Sequence, residues 1–556
     1  MNDLEVPTFS LTSTTMAFRA SSPTNRALEI PELLDMIFRY LDNSCNVANA
    51  RVCKRWSEIA LDSVWRDLDD LYHLFAILKP LKPTSDKPDA PLEFTAPPDA
   101  DDWKRAERYS RRVKRLVYHA SCSFALCPTV FEVIARTRTS LVVLPNTRSI
   151  AWEAPLHLLV MFMHANVKHF VVRLDGQHEL TPHSPFFRDV VSRMPSITNL
   201  DIHCETPVVL PRFFLTTRIA ECAAKLADLE CLEFQYDPEQ GFGDPSDIEV
   251  FRPALGPGSY PSLGDLSLTV SLGDIVRLMK QPSCPANLTS LLVDSRLFET
   301  PEVVYEFLTT LSESCQLLET LSIITAVSDE EPIEKLDAIP RENRMSFSTI
   351  RPLQHLPSLT VFDITHQYPM DLAEDELEQL ARSWPSLKKL ILNNEPMVLD
   401  SCSLTLASLL PFARHCPELE KLGLFVNASA AGIPAGNQWP SFAKLQSLSM
   451  GVSLIDEDGP VALFLSKICP LDTQLESGVT WDLPASGHFE PEVHSTVRDR
   501  CNRWNKVAET LPLLTNLRME ERARTSKLEA EVDDLRMRSQ VILDKPPIRE
   551  DSCVVC

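Results

Sequence analysis

The residues whose types and spacing could support a covalent modification are the last four of the chain, Cys553-Val554-Val555-Cys556. They fit the C-a-a-X pattern, in which a prenyl group alkylates the first cysteine, here Cys553. The two valines favour lipidation, whereas a terminal cysteine is an unusual X and the preceding Arg549-Glu550-Asp551 is not polybasic. Two interpretations stay open: a prenylated Cys553 that attaches the chain to a membrane, and an unmodified tail.

Residue types that bind metals or perform catalysis are scattered through the sequence. Cys122 and Cys127 lie near His119 and could bind zinc, but buried free thiols are the commoner explanation of such a spacing. The sequence contains no Gly-x-x-x-x-Gly-Lys loop, no Gly-x-Ser-x-Gly turn and no His-Glu-x-x-His helix. We therefore expect no catalytic residues, no cofactor and no metal, and thus a protein that is not an enzyme.

Composition restricts the class of protein further. Hydrophobic residues make up 44% and charged residues 24% of the 556 residues, as in a folded domain. The net charge of −23 disfavours nucleic-acid binding, which needs a positive surface. The 15 cysteines are spread singly, which indicates free thiols in a reducing compartment. Without a signal peptide or an apolar run long enough for a membrane span, we expect a cytoplasmic or nuclear protein.

The first strongly patterned stretch is Leu28–Trp65. Apolar residues follow Pro31 at helical spacing on one face, and a second apolar set runs from Val47 to Trp65. This pattern predicts about three short helices, which are too small to bury a large core alone. The stretch is therefore either the helical start of a larger domain or a docking module whose apolar face binds a partner.

The residue types and spacing of this stretch resemble those of the F-box. The resemblance lies in Ile30-Pro31-Glu32-Leu33-Leu34, Ile37-Phe38 and Val52-Cys53-Lys54-Arg55-Trp56. Ile30 replaces the commoner leucine, and Cys45-Asn46 replaces the usual Asp-Leu pair. The resemblance implies a three-helix F-box at 26–72 that docks onto the Skp-family adaptor of a cullin–RING ubiquitin ligase, in a helix-in-groove mode. The implied adaptor-binding residues are Ile30, Pro31, Leu33, Leu34, Ile37, Phe38, Leu41, Val52, Cys53 and Trp56.

A repeat of the form Φ-x-x-Φ-x-Φ, where Φ is apolar, fills the middle of the chain. It occurs at intervals near thirty residues, often after a helical pattern that ends at proline, which predicts repeated helix–strand units. The clear copies start at Ile197, Leu229, Leu263, Leu288, Leu318, Leu359, Leu387, Leu419 and Leu445, and weaker copies start at Val113 and Val167.

These units resemble irregular leucine-rich repeats, although the asparagine usual after the last Φ is mostly absent, Asn427 being the exception. The resemblance implies a curved α/β solenoid at 111–475, in which stacking buries the apolar face of each unit. The alternative is a separate α/β domain with a parallel sheet.

Residues between and after the Φ positions are expected on the concave strand face. Acidic and amide groups prevail there, which favours a basic or hydrogen-bonding ligand, although each residue could equally belong to an ordinary solvated face. The candidate substrate-binding residues are Asp201, His203, Glu233, Gln235, Thr269, Asp294, Asp363, Thr365, Asn393 and Phe425.

The remaining segments complete the predicted domain organisation. We expect a flexible tail at 1–25, a linker and basic helix at 73–110, a long helix at 495–540 and a tail at 541–556. The basic run Trp103–Arg115 is either a solvated helix face or a nuclear-import or RNA contact. The long helix has an interrupted apolar stripe, so it either caps the array or forms a short coiled coil between chains. The fold class is thus α/β: a three-helix F-box, a leucine-rich-repeat-like solenoid and a long C-terminal helix.

The function that these resemblances imply is substrate recognition within an SCF-type (Skp–cullin–F-box) E3 ubiquitin ligase. The F-box would bind the Skp adaptor, the repeats would bind an unknown protein substrate, and the RING partner would direct ubiquitin transfer. The alternative is a non-catalytic scaffold that uses its repeats to hold a partner without ubiquitination.

Overall fold

The computed structural model describes residue 28 and residues 30–543, except 88–89, 120–124, 175–184, 205–211, 237–250, 296–298, 326–343, 400–401, 435, 437–438 and 480–490. Of residues 204, 212–216, 235–236, 491–494 and 541–543 only the backbone is described. The chain divides into two compact units, Met1–Ala154 and Pro155–Cys556. Cys553 and the tails at 1–25 and 544–556 lie outside the described residues, as do Cys122 and the side chain of Gln235.

The first unit begins with the three short helices that the sequence predicts. Small strands and further helices follow them, and three strands pair in parallel in the order β1-β4-β5, beside a β2–β3 hairpin. The elements are α1 Pro31–Arg39, α2 Asn43–Asn49, α3 Lys54–Val64, β1 Asp67–Leu68, α4 Leu71–Leu78, β2 Leu81–Pro83, β3 Leu92–Phe94, α5 Ala100–Ser110, β4 Arg115–His119, α6 Pro128–Thr137 and β5 Ser149–Glu153.

The second unit alternates strands with helices and ends in one long helix. Its elements are α7 Leu156–Leu159, β6 His169–Leu174, α8 Phe186–Arg193, β7 Asn199–Cys204, α9 Arg212–Ala223, β8 Cys231–Tyr236, β9 Asp265–Leu268, α10 Leu272–Met279, β10 Ser290–Asp294, α11 Pro301–Ser314, β11 Thr320–Thr325, α12 Phe347–Ile350, β12 Val361–His366, α13 Glu374–Ser383, β13 Lys389–Leu392, α14 Leu410–His415, β14 Lys421–Leu424, β15 Asn427–Ala428, β16 Ser447–Ser449, β17 Leu454–Ile455, α15 Asp458–Ile468, β18 Gln474–Glu476 and α16 Pro491–Leu543. Short 3₁₀ turns span Arg351–His355, Leu406–Leu409 and Ala430–Gly432.

Each copy of the predicted repeat forms a parallel strand that begins at the third residue of the motif. In the copy that starts at Ile197, for example, the strand begins at Asn199, and all three Φ residues are buried. The amides of the second and third residues of a copy both donate to the second residue's carbonyl in the copy before, as Thr198 and Asn199 do to Lys168. This shared hydrogen-bond pattern fixes the register between copies, because it recurs at every interface from β6 to β16.

The strand order decides between a solenoid and a separate doubly wound domain. Within the second unit the strands pair in chain order from β6 to β14 and then to β16 and β18, all in parallel. A doubly wound sheet would reverse its order at a switch point, and this unit does not. The second unit is therefore a parallel-strand α/β solenoid, and stacking of neighbouring repeats builds its core.

Three strands extend the pattern beyond the copies found in the sequence, and the first is β1, which pairs with β4. β5 pairs with β4, and β18 pairs with β16 at the C-terminal end of the expected solenoid. The segments of β5 and β18 do not have an apolar residue at all three motif positions, so the repeat pattern did not reveal them. The C-terminal helix is longer than the predicted 495–540 and continues through Pro512. Among the described residues, no helix combines the length and the apolar character that crossing a bilayer requires.

Candidate functional site

The first candidate surface is built on α1, whose ends are set by local sequence. Ile30 has an extended backbone just before Pro31, which occupies the first helical turn without needing an amide donor. Glu32 lies in the first turn and Arg39 in the last, where their charges complement the helix dipole. These local signals limit the helix to nine residues. It has a buried face and an exposed face.

The inner face of α1 forms a small core with the next two helices. Leu34 and Phe38 are 0% and 2% exposed and pack with Ala60, and the ring of Trp56 lies edge-on to that of Phe38 at 5.5 Å. We expected Leu34 and Phe38 to contact an adaptor directly, whereas the structure buries both side chains in this core. Residues four apart share one helix face, and this face has to bury the only core that three short helices can make.

The outer face of the same helices is apolar and exposed. Of the expected adaptor-binding residues, Pro31, Leu33, Ile37, Leu41, Val52 and Cys53 have exposed side chains, Ile37 being 45% and Val52 60% exposed. Ile30 is 43% exposed, and Trp56 is partly buried against the core.

Our sequence reasoning missed Met36, Tyr40 and Val47, which are also exposed. Met36 lies three residues after Leu33 and Tyr40 four residues after Met36, so helical spacing was the available signal for these two, whereas Val47 lies on α2. We call the exposed apolar residues the docking surface: Ile30, Pro31, Leu33, Met36, Ile37, Tyr40, Leu41, Val47 and Val52.

Hydrogen bonds hold the turn between α1 and α2 in place. The buried Asn46 side chain donates from Nδ2 to the carbonyl of Phe38 at 2.9 Å and to that of Leu41 at 3.3 Å. Asp42 caps α2 by accepting from the amide of Cys45 at 2.7 Å, a bond that lowers the pKa of the Asp42 carboxyl. The departure from the F-box pattern at Cys45-Asn46 thus has a structural role, since Asn46 satisfies carbonyls that end α1.

The predicted basic run contributes to the same unit. Arg108 and Arg112 of this run form ion pairs with Glu58 of α3, and Arg112 also binds Asp62. These contacts, led by the hydrogen bond from Arg112, lower the pKa of Glu58. The side chain of Arg112 is only 11% exposed. These two arginines therefore fasten α5 and its C-terminal turn to α3 and are not part of an open basic patch.

The second candidate surface is the outward strand face of the second unit. Asp201, His203, Glu233, Asp363 and Thr365 are half-buried there. Four other residues that we expected to contact a ligand have buried side chains instead: Thr269, Asp294, Asn393 and Phe425 are 1–6% exposed.

These four residues stand at the C-terminal end of a strand or directly after it. Asn393 has a positive φ of 45°, and its side chain accepts from the amide of His366 at 2.9 Å and donates to the carbonyl of Tyr368 at 2.6 Å. Phe425 packs against Val452 and Val497. Both residues hold neighbouring repeats together, so their role is internal.

Asp201, His203 and Glu233 form the densest titratable cluster on this face. Asp201 and His203 are two residues apart on β7, so they lie on the same face of the sheet. Glu233 lies opposite Asp201 on the neighbouring strand β8. Nε2 of His203 lies 2.7 Å from Oδ1 of Asp201, and this hydrogen bond raises the pKa of the imidazole. Burial, followed by the charge of Asp201, raises the pKa of Glu233.

The ligand atoms of these three residues lie within 4.8 Å of one another, and imidazole and carboxylates are groups that bind divalent cations. However, the Asp201 carboxylate is already paired with His203. A metal ion would have to replace the imidazole proton, which that carboxylate stabilises.

On the later strands, two acidic side chains form ion pairs with lysines of the same strand face. Nζ of Lys389 lies 2.7 Å from the carboxylate of Asp363, and Nζ of Lys421 lies 2.8 Å from that of Glu476. Asp363, which we expected to bind a ligand, thus already has a cationic partner. Three more acidic residues lie on β7 to β9. They are Asp201, which is paired with His203, Glu233, and Asp265, which sequence reasoning omitted. We call these three residues the acidic strand face.

Comparison with known proteins gives one family match. The family model for F-box-like domains matches residues 31–70, which include α1, α2 and α3. No curated protein matches the chain. A chain from the crystal structure of a Rad7 and Elc1 complex in yeast is similar at 12% identity, with a TM-score of 0.33, over 86% of this chain and 100% of that chain.

Proposed function

We propose that this protein is the substrate-recognition subunit of an SCF-type E3 ubiquitin ligase. The F-box-like domain at 31–70 would bind a Skp-family adaptor, and the solenoid would bind a protein substrate. The observation that carries the proposal is the docking surface, which lies within and beside the matched domain and exposes large apolar side chains. Such side chains are normally buried unless a partner covers them.

The docking surface suits a helix-in-groove contact. Leu33, Ile37 and Tyr40 lie at three- and four-residue spacing along one side of α1, and they are 37%, 45% and 89% exposed. Leu34 and Phe38 hold this helix from behind, so the surface is preorganised before a partner arrives. Preorganisation reduces the ordering entropy that binding would otherwise cost.

The solenoid supplies the second half of the proposed function. We propose that its units are irregular leucine-rich repeats and that the acidic strand face contacts the substrate. Asp201, Glu233 and Asp265 come from three neighbouring strands, and the imidazole of His203 is hydrogen-bonded to Asp201. A basic segment of a protein substrate complements this surface.

The experiment is affinity purification of the tagged full chain with a Skp-family adaptor and a cullin. The wild type should co-purify both, whereas Pro31→Ala combined with Ile37→Asp should abolish adaptor binding. A charge-reversed acidic strand face (Asp201→Lys, Glu233→Lys, Asp265→Lys) should retain the adaptor and lose substrate. Adaptor binding without a cullin would favour the scaffold alternative, and unchanged binding by the Pro31/Ile37 variant would refute the docking assignment.

Prenylation of Cys553 stays a separate prediction, because this residue lies outside the described part of the chain. A mass spectrum of the mature protein with a farnesyl or geranylgeranyl addition would support it. The expected cytoplasmic or nuclear location likewise stays a prediction, which imaging of the tagged chain would test.

A further inference from the structure

The outer half of α16 has no neighbour within the described part of the second unit. The first half of this helix packs on the solenoid through buried residues such as Trp504, Val507 and Leu511. From residue 519 to residue 540 every side chain is exposed, including Leu528 at 54% and Leu535 at 63%. An isolated helix segment of this length is only marginally stable in water, so a packed partner would account for it.

The exposed segment carries a heptad pattern. Counted in sevens, Leu528 and Leu535 occupy two successive d positions, and Val532 occupies the a position between them. A β-branched residue at a with leucine at d favours two-stranded, parallel coiled coils. Thr525 and Ser539 occupy the flanking a positions, so the apolar core is short.

The charges beside this core are complementary between two parallel copies in register. Arg524 and Glu531 occupy g positions, and Glu529 and Arg536 occupy the e positions that they would face on the partner. Each g residue would therefore meet an opposite charge five residues further along the partner chain. Within one helix, residues five apart do not face each other, so these g-to-e ion pairs cannot form inside a single chain.

Antiparallel arrangements satisfy the same sequence less well. If Val532 packs on Leu528 of an antiparallel partner, Glu531 faces Glu531 and Arg524 faces Arg538. If the register shifts by one heptad, Leu528 packs against Ser539 instead of an apolar residue. Only the parallel, in-register arrangement pairs apolar residues with apolar residues and opposite charges with each other.

We propose that the segment 518–540 of α16 binds a second copy of this chain as a short, parallel, two-stranded coiled coil. The core would consist of Leu528, Val532 and Leu535, and the interchain ion pairs would be Arg524–Glu529 and Glu531–Arg536, each occurring twice by symmetry. The contact places two solenoids and two F-box-like domains in one assembly, and it does not depend on the function proposed above.

The first test measures the mass of the full chain by light scattering and sedimentation at micromolar to tens of micromolar concentration. The wild type should be a dimer that dissociates on dilution, and Leu535→Asp should be monomeric. Met537→Asp is the matched control, since Met537 is 68% exposed but faces away from the core in the heptad pattern. It should remain dimeric, with the same circular dichroism as the wild type.

The second test addresses orientation through one ion pair. Arg524→Glu alone and Glu529→Arg alone should each raise the dimer dissociation constant about 10-fold, because each reverses two symmetric contacts. The combined R524E/E529R variant should restore the wild-type dissociation constant, since only parallel chains in register bring these two positions together.

Three results would overturn the proposal. They are a wild type that stays monomeric at tens of micromolar, a Leu535→Asp chain that still dimerises, and an R524E/E529R variant no tighter than the single variants.

Discussion

The most informative perturbation is Ile37→Asp on the docking surface. Ile37 is 45% exposed, which leaves roughly 80 Å² of apolar surface and about 2 kcal/mol of burial energy at about 25 cal/mol per Å². Truncation to alanine should therefore weaken adaptor binding about 30-fold. Aspartate should weaken it further, because its carboxylate would have to enter an apolar groove without a partner.

The assay is a binding titration of the full chain against a purified Skp-family adaptor, with thermal unfolding of each variant measured in parallel. Leu463→Asp is the matched control, because Leu463 is also 45% exposed but lies on α15 of the solenoid. Both variants should unfold at nearly the wild-type temperature, since neither side chain is in a core. Only the Ile37 variant should lose adaptor affinity.

The reasoning would be refuted if Ile37→Asp bound the adaptor as tightly as the wild type. It would also be refuted if Leu463→Asp weakened binding equally, because the effect would then not be specific to the docking surface. A drop in unfolding temperature for Ile37→Asp would show that this residue supports the fold instead of a partner.

Three further outcomes follow from the described contacts. Phe38→Ala should destabilise the three N-terminal helices by about 3–5 kcal/mol, seen as faster hydrogen exchange in α1 to α3, because Phe38 fills their core. Asn46→Ala should cost about 1–3 kcal/mol in the same measurement, since two carbonyls lose their donor. Asp201→Asn should lower the pKa of His203, followed by NMR titration, because the Asp201 carboxylate holds that pKa above its ordinary 6.5. The Asp201–His203 pair should thus stabilise the fold fully below pH 6.5 and lose that contribution as pH rises through the raised pKa.

The repeat was predictable because its signal is local and periodic. An apolar residue at each first, fourth and sixth position can only be buried if the segment is a strand whose neighbours repeat it, and all eleven copies became strands. β5 and β18 escaped notice because their segments lack the full motif: Thr147 stands at the first apolar position before β5, and Asp472 and Ser477 stand at the first and sixth positions around β18. The docking helix was predictable for the same local reason, from Pro31 and the spacing that follows it.

The sequence by itself determined which segments form helices and strands and that each needs neighbours to bury its apolar side. Only the tertiary structure decided which side chains remain for a partner. Leu34 and Ile37 look alike in the sequence, yet one closes a core with Ala60 and the other faces outward. Asp201 and Asp363 occupy the same motif position, yet Asp201 pairs with His203 and Asp363 with Lys389. The physical reason is that burial and charge pairing depend on residues far away in the chain, which periodicity cannot place.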